Sequence, residues 1–442
     1  MSAPPSGRST PTFLTALAPD ARIRGSRDPL GLLPIWARLG RALIGNVTTV
    51  SGDLRGWTTL LTVVGLVRDR IESGAVDGTT LEPLFRAEQM VAYSRTIKGS
   101  NEARGTNLVK HRLRAHDNGR EPIRLGTTPR ERRILANQGA AGVMGQIGSP
   151  AAASLLFDRA RRALTPAAMP LWTNTLAPRL ASASGRITAI LRDERGFAPA
   201  GADAELADTL ADLHRPRLAA AEVPLYRDHV LYAGRGLEGA QARFVELWRG
   251  QGPGTALRDG IDLPRLASLA QQARSAGLPE VAGPLEDIFA AEQLLAPMER
   301  LFAWVQSRDR QTLDDVVAEL EKVWTEPLSS AAAATDLVIG PSLREVYRSS
   351  EVLGLFTGVR EALVQGSWRT AIQGLIDLNA VMMKRRGGAP WMRVVDGTVE
   401  VLMGDEPGDL PPLPDLRRQL VHSYYLDPLR RLVVAWEDGQ HG

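Results

Sequence analysis

Apolar residues recur at helical spacing along most of this 442-residue chain and alternate at strand spacing in one place only, so the fold must be built chiefly by packing amphipathic helices. Pro34 stands where a first turn tolerates proline, Ile35, Trp36, Leu39 and Leu43 then repeat on one face, and Gly45 is placed to stop the helix. A second helix from about Asp53 carries Leu54, Trp57, Leu61, Val64 and Ile71 and stops at Gly74. At Thr312 to Trp324, Thr312 and Asp315 form a capping-box pattern ahead of Leu313, Val316, Val317, Leu320, Val323 and Trp324. Similar stripes run over Leu206 to Leu213, Ala240 to Trp248, Leu285 to Trp304, Leu343 to Phe356 and Ala371 to Met383. The strand signal is Met392, Val394 and Val395 facing Val399, Val401 and Leu402 across Asp396-Gly397, a dipeptide suited to a tight hairpin turn. A Pro-rich, acidic stretch from Gly404 to Asp415 follows, and Leu426, Leu429, Leu432, Val433 and Trp436 give a closing helix. No fixed-period repeat is present. The expected fold class is therefore mostly α, an irregular multi-helix assembly with one C-terminal β-hairpin.

Between Thr127 and Arg179 the pattern changes. Thr128-Pro129 can start a helix through Arg130 to Ala136, and glycines at 139, 142, 145 and 148 then break it before Pro150. A second helix from about Ala151 would bury Leu155, Leu156 and Phe157 and carry Arg159, Arg161 and Arg162, with a third start at Thr165-Pro166. Short helices, a tight turn and arginines fit a degenerate winged-helix or helix-turn-helix unit, and fit an ordinary helical hairpin with solvated arginines as well. The organisation expected from these signals is a disordered tail over 1–28, a helical domain over 29–180, a second over 181–390, and the hairpin, Pro-rich loop and closing helix over 391–442.

Charge is the unevenly distributed property. Arg95 to Arg133 holds eleven basic residues against Glu102, Asp117, Glu121 and Glu131, a balance of +7 in a chain whose net charge is +3. Clustered cations are the footprint of a surface that meets phosphates, and Lys110, Arg112, Arg114, Arg120, Arg124, Arg130, Arg132 and Arg133 are the residues expected to contact nucleic acid.

Several chemistries are excluded by residue type. The chain has no cysteine, which removes disulfides, thiolate metal sites and cysteine nucleophiles. None of the four lysines, Lys98, Lys110, Lys322 and Lys384, sits in a P-loop, and the positions two residues before them are Thr96, Leu108, Leu320 and Met382 rather than the acids of the lysine-type restriction-nuclease core. Gly234, Gly236 and Gly239 have G-x-G-x-x-G spacing, but Arg227, Asp228 and His229 interrupt the preceding stretch, so a turn between helices is the better reading than a dinucleotide site. His111 and His116 are five apart, which does not place two imidazoles on one helical face, and His441 has no spaced partners. His214 and His229 could each act as a general base, yet no serine stands in a G-x-S-x-G elbow. Asp314, Asp315, Glu319 and Glu321 read as a solvated helix face. No catalytic residue, metal ligand or cofactor is assigned.

Two groups of segments carry a family likeness: Asp28-Pro29-Leu30-Gly31-Leu32 with Gly45-Asn46-Val47-Thr48-Thr49-Val50 and Arg55-Gly56-Trp57-Thr58, and Ile134-Leu135-Ala136-Asn137-Gln138 with Gly142-Val143-Met144-Gly145 and Leu164-Thr165-Pro166. They resemble uncharacterised helical accessory proteins of bacterial mobile-element and anti-phage defence loci. The resemblance covers about a third of the chain and departs from the pattern at Ala151 to Phe157, where small residues stand. It implies a subunit working beside nucleases, ATPases or methyltransferases encoded nearby, with the chemistry done by those partners.

The expected function is thus a non-enzymatic, nucleic-acid-contacting or scaffolding subunit of a multi-protein bacterial defence system. The alternatives are a metal-dependent nuclease or other enzyme with a site assembled from distant residues, and an adaptor that meets only protein. The apolar run Phe13 to Ala18 is too short for a signal core, and Trp57 to Val67, the longest, falls short of the about 20 residues a membrane span needs, so the expected setting is soluble and cytoplasmic without membrane contact.

Overall fold

A computed structural model describes residues 28–100, 102–250, 258, 260–328, 344, 347–403 and 409–441. The tail expected over 1–28 lies almost wholly outside them, as do residues 404–408 of the Pro-rich acidic stretch. In chain order the principal elements are α1 (Leu33–Leu43), α2 (Leu54–Glu72), α3 (Glu82–Ile97), α4 (Thr106–Ala115), α5 (Val143–Ala153), β1 (Phe157–Asp158), β2 (Ala163–Leu164), α6 (Ser184–Leu191), α7 (Ala204–Asp212) and α8 (Ala240–Arg249). They continue with α9 (Leu263–Ser275), α10 (Pro279–Val305), α11 (Leu313–Val323), α12 (Ser350–Gln365), α13 (Trp368–Arg385), β3 (Met392–Val395), β4 (Thr398–Val401) and α14 (Leu426–His441). The protein is mostly helical, and β3–β4 form the expected antiparallel C-terminal hairpin. Asp396 and Gly397 both have positive φ, 49° and 77°, which a tight hairpin turn of this hand requires.

The described residues fall into two compact units that interleave along the chain. One takes residues within Met1–Leu39, Asp262–Ser268 and Pro284–His422, and the other within Gly40–Ile261, Leu269–Gly283 and Ser423–Gly442. In the first, the capping box of α11 forms as the sequence indicates: Thr312 Oγ1 accepts the Asp315 N–H at 3.1 Å and donates to the Asp315 carboxylate at 2.6 Å. The hairpin docks on the preceding turn through Leu313 N–H to Gly397 O and Val399 N–H to Gln311 O, at 2.8 and 2.9 Å. Helices α12 and α13 pair, and Trp324 packs edge-on to Trp368 with centroids 5.7 Å apart.

The second unit is built round α2, which packs against α3, α5, β2 and α14. Its apolar stripe widens into burial on nearly every side: Trp57, Leu60, Leu61, Val63, Val64, Leu66 and Val67 are all buried, while Ile71 at the end is only half-buried. Gly65 lies in the middle of this helix because the Trp172 indole rests on it. A Cβ there would stand 2.7 Å from the ring's Cε2 and nearer still to Cδ2 and Cε3. Trp172 Nε1 donates to Asp69 at 2.9 Å, and burial raises the Asp69 carboxyl despite that bond.

The stretch after residue 127 differs from its sequence reading. Pro129 precedes a single 3₁₀ turn, Arg130–Arg132, not a helix through Ala136. Of the glycines only Gly142 breaks the chain, standing extended between a four-residue helical turn, Gln138–Ala141, and α5, which runs on through Gly145, Gly148 and Pro150. They are points of close approach: a Cβ at Gly142 would overlap the Glu88 carboxylate, and one at Gly145 the Ala140 carbonyl. α5 ends where a second helix was expected to begin, Leu155 turns at φ 59°, and Phe157 enters the two-residue ladder with Leu164. Leu155 is 53% exposed rather than in the core. Beyond Thr165, Met169–Leu171 leads into a π-helical turn, Trp172–Leu176. The helices expected over 130–136 and from about 151 are thus not formed as read, and the winged-helix or helix-turn-helix expectation for 127–179 is not confirmed.

Candidate functional site

The basic segment is fastened to the second unit by buried polar side chains of α3. Gln89 bonds the Gly126 peptide on both sides, Gly126 N–H to Oε1 at 2.9 Å and Nε2–H to Gly126 O at 2.8 Å. Glu88, raised in pKa by burial, accepts from the Val143 N–H at 2.7 Å and from Gln138 at 3.0 Å. Glu82 accepts the Thr127 N–H at 3.0 Å. These bonds hold the loop from 120 to 133 against α3 and expose its side chains selectively.

Each of the eight cations has a definite place. Arg112 is half-buried and clamps the loop, donating to Arg132 O at 2.6 Å and Arg124 O at 2.8 Å, with its guanidinium 5.7 Å from the Tyr93 ring. Arg132 pairs with Asp193 at 2.6 Å, and Arg133 Nε donates to Thr127 O at 2.8 Å. Arg124 also reaches Asp193, at 3.4 Å, and Arg86 approaches the same carboxylate at 3.8 Å. Lys110 is half-buried on α4. Arg114, Arg120, Arg124 and Arg130 are exposed, Arg120 beside Asp117 at 3.5 Å. Helix α4 contains no acid, and its exposed residues include Leu108, His111 and Arg114.

The segment's first cations instead enter a cavity of about 1000 Å³. Its wall is made by the start of α2 (Asp53, Leu54, Arg55), the end of α3 (Arg95, Lys98), the following turn (Ser100, Glu102), α7 (Asp208, Ala211, Asp212), His214 and Arg215, and the end of α14 (Ala435, Asp438, Gly439). Asp53 caps α2 by accepting the Arg55 N–H at 2.9 Å. Arg55 is buried and fully engaged: it meets Glu222 at 2.8 Å, Thr58 at 3.0 Å and Arg217 O at 2.8 Å. Thr58 in turn lies 2.7 Å from the Tyr226 hydroxyl, whose pKa burial and Glu222 push well up.

His214 and Arg95 differ from Arg55. Both are 5% exposed. His214 Nδ1 lies 2.6 Å from Leu210 O and therefore carries the proton, which leaves Nε2 as an acceptor without a hydrogen-bond partner. Burial, with the Arg95 charge, lowers His214 to about 3, so the ring stays neutral and is too weak a base for the general-base role its sequence position allowed. Arg95 reaches Glu102 at 3.4 Å, and its Nε–H has no acceptor among the described residues.

Other sequence candidates lie apart. His229 is half-buried with Nδ1 3.0 Å from Ser154 O, and the stretch before Gly234 is a π-helical turn, Tyr226–Leu231, instead of a strand. The carbonyls of His229, Val230 and Leu231 that this turn frees are taken by buried Asn46 and Gln241, at 2.8–3.1 Å. Asp314 pairs with Arg369, and Glu319 with Arg308 at 2.9 Å. Among the described residues no three His, Asp or Glu side chains are grouped to hold a metal ion, and no helix is long and apolar enough to cross a membrane.

Comparison with protein-family models, curated proteins and solved structures finds no match to this chain.

Proposed function

We propose that the protein contacts the phosphate backbone of nucleic acid through the exposed part of its basic segment, Arg114, Arg120, Arg124 and Arg130 with His111, beside the half-buried Lys110. The observation that carries this reading is the division of labour among the cations: Arg112, Arg132 and Arg133 are bound to backbone carbonyls and Asp193, whereas Arg114 and Arg130 point outward with no ion pair to a described residue. Flexible exposed arginines beside an acid-free helix give affinity without sequence choice, and that affinity falls as salt rises. The resemblance to accessory proteins of defence loci supports a subunit role, with the chemistry carried by partners.

The test is a gel-shift titration of the parent against an Arg114→Glu, Arg120→Glu, Arg130→Glu triple variant. These positions lie outside the bonds that hold the loop, so the variant keeps its fold, and its salt dependence should flatten by about 0.9 per lost phosphate contact. Equal affinity of variant and parent at every salt concentration ends the nucleic-acid reading.

A further inference from the structure

We infer that the cavity between α2, α3, α7 and α14 is a binding site for an uncharged, hydroxyl-rich ligand of the sugar or polyol class. The inference is independent of the nucleic-acid reading, because the residues that carry it are not the exposed arginines.

Two properties of the wall select the ligand. The first is charge balance. Every cation of the wall already faces a carboxylate: Lys98 meets Asp208 and Arg215 meets Asp212, both at 2.6 Å, Arg55 meets Glu222 at 2.8 Å, and Arg95 meets Glu102 at 3.4 Å. A net anion would have to displace an acid and a net cation a base, and Asp53 adds further negative charge against anions, while Asp438 is paired with Arg258.

The second is what the ion pairs leave over. Arg95 offers an unused donor at Nε, and His214 an unused acceptor at Nε2. A buried polar atom without a partner costs about 1–3 kcal/mol, so a ligand that satisfies both is strongly selected. An ammonium cannot accept, and a carboxylate or fully ionised phosphate cannot donate. An alcohol hydroxyl does both. Both residues belong to the cavity wall, and the wall residue Glu102, whose side chain is 75% exposed, is held to Arg95 only by its long bond. No Phe, Tyr or Trp lines the cavity, so it lacks the stacking platform a nucleobase would use. Its volume of about 1000 Å³ is ample for a sugar-sized molecule.

The experiment is ligand-observed saturation-transfer NMR on the full chain with ribose, glucose and myo-inositol as probes, and inorganic phosphate followed in parallel by phosphorus resonance. Transfer to at least one polyol at millimolar concentration is expected. Ala211→Trp fills the cavity from a half-buried helix position without removing a buried partner, and should weaken the binding by at least about tenfold. His214→Leu removes the acceptor and should weaken it about two- to tenfold. Absence of transfer to all three polyols, binding unchanged by Ala211→Trp, or phosphate binding that excludes the polyols would each overturn the assignment. Should His214→Leu fail to fold, Ala211→Trp decides alone.

Discussion

Gly65→Ala tests how the core of the second unit is packed. In an open helix this change is stabilising by about 1 kcal/mol, because alanine restricts the unfolded chain and favours the helix. Here the added methyl meets three atoms of the Trp172 benzo ring. The indole cannot slide away freely, since it is 2% exposed and its Nε1 is bonded to Asp69 at 2.9 Å. Overpacking of this kind costs about 1–3 kcal/mol, and breaking the indole bond adds about 1 kcal/mol. With the helix preference subtracted, Gly65→Ala should destabilise the unit by about 1–3 kcal/mol. The same change should reverse sign once the ring is gone: in a Trp172→Leu background, alanine at 65 should stabilise by about 1 kcal/mol relative to glycine. Urea unfolding of the parent, both single variants and the double variant measures all four corners of the cycle. A Gly65→Ala protein at least as stable as the parent, or a cycle with no coupling, would refute the packing described for α2.

Two further predictions concern buried charge. His422, in the first unit, sits between Glu292 and Glu299 at 2.9 and 2.7 Å; burial alone would depress its pKa, but the two carboxylates override that and hold it at about 10. A raised pKa means that this proton's stabilisation is complete below the ordinary value of 6.5 and is lost as pH climbs towards 10, so the melting temperature of the parent should fall across that window while His422→Gln stays flatter. Glu299 is held below its usual 4.5 by His422 against the opposing effect of burial, and its own contribution fades below that pH. Arg55→Met strands the buried Glu222 carboxylate and should cost about 3–5 kcal/mol in a denaturant melt, with Glu222→Gln in the same chain restoring part of the loss; a cost below about 1 kcal/mol would show that the pair is not shielded from water.

The elements that periodicity made legible are those whose local chemistry and burial agree. Thr312 caps α11, Pro34 opens α1, Asp53 caps α2, and Asp396-Gly397 turns the hairpin, each a short-range event that the adjacent residues decide. The stretch from 128 to 164 was illegible because its structure depends on distant partners. Glycine at 142 does break the helical run, but the reason only glycine fits there is Glu88, more than fifty residues earlier, which occupies the space a side chain would take. The cavity was hidden for a similar reason: in the sequence Arg95 is one cation of the basic segment and His214 a possible general base, and only the arrangement of α3, α7 and α14 buries them. Burial of Arg95 left no trace in composition. Asp193 carried no signal either, being one acid among many until the loop brings arginines to it.

That aspartate alters what a tally of charge along a sequence can say. By gathering Arg86, Arg124 and Arg132 round one carboxylate, and with Arg95 sunk into the cavity wall, the molecule commits several of its cations to its own architecture, although that single carboxylate offsets only one of the three guanidinium charges. Direct contact with a polyanion therefore rests on a few outlying guanidinium groups, and the cations beneath them act as mortar that keeps those few in position.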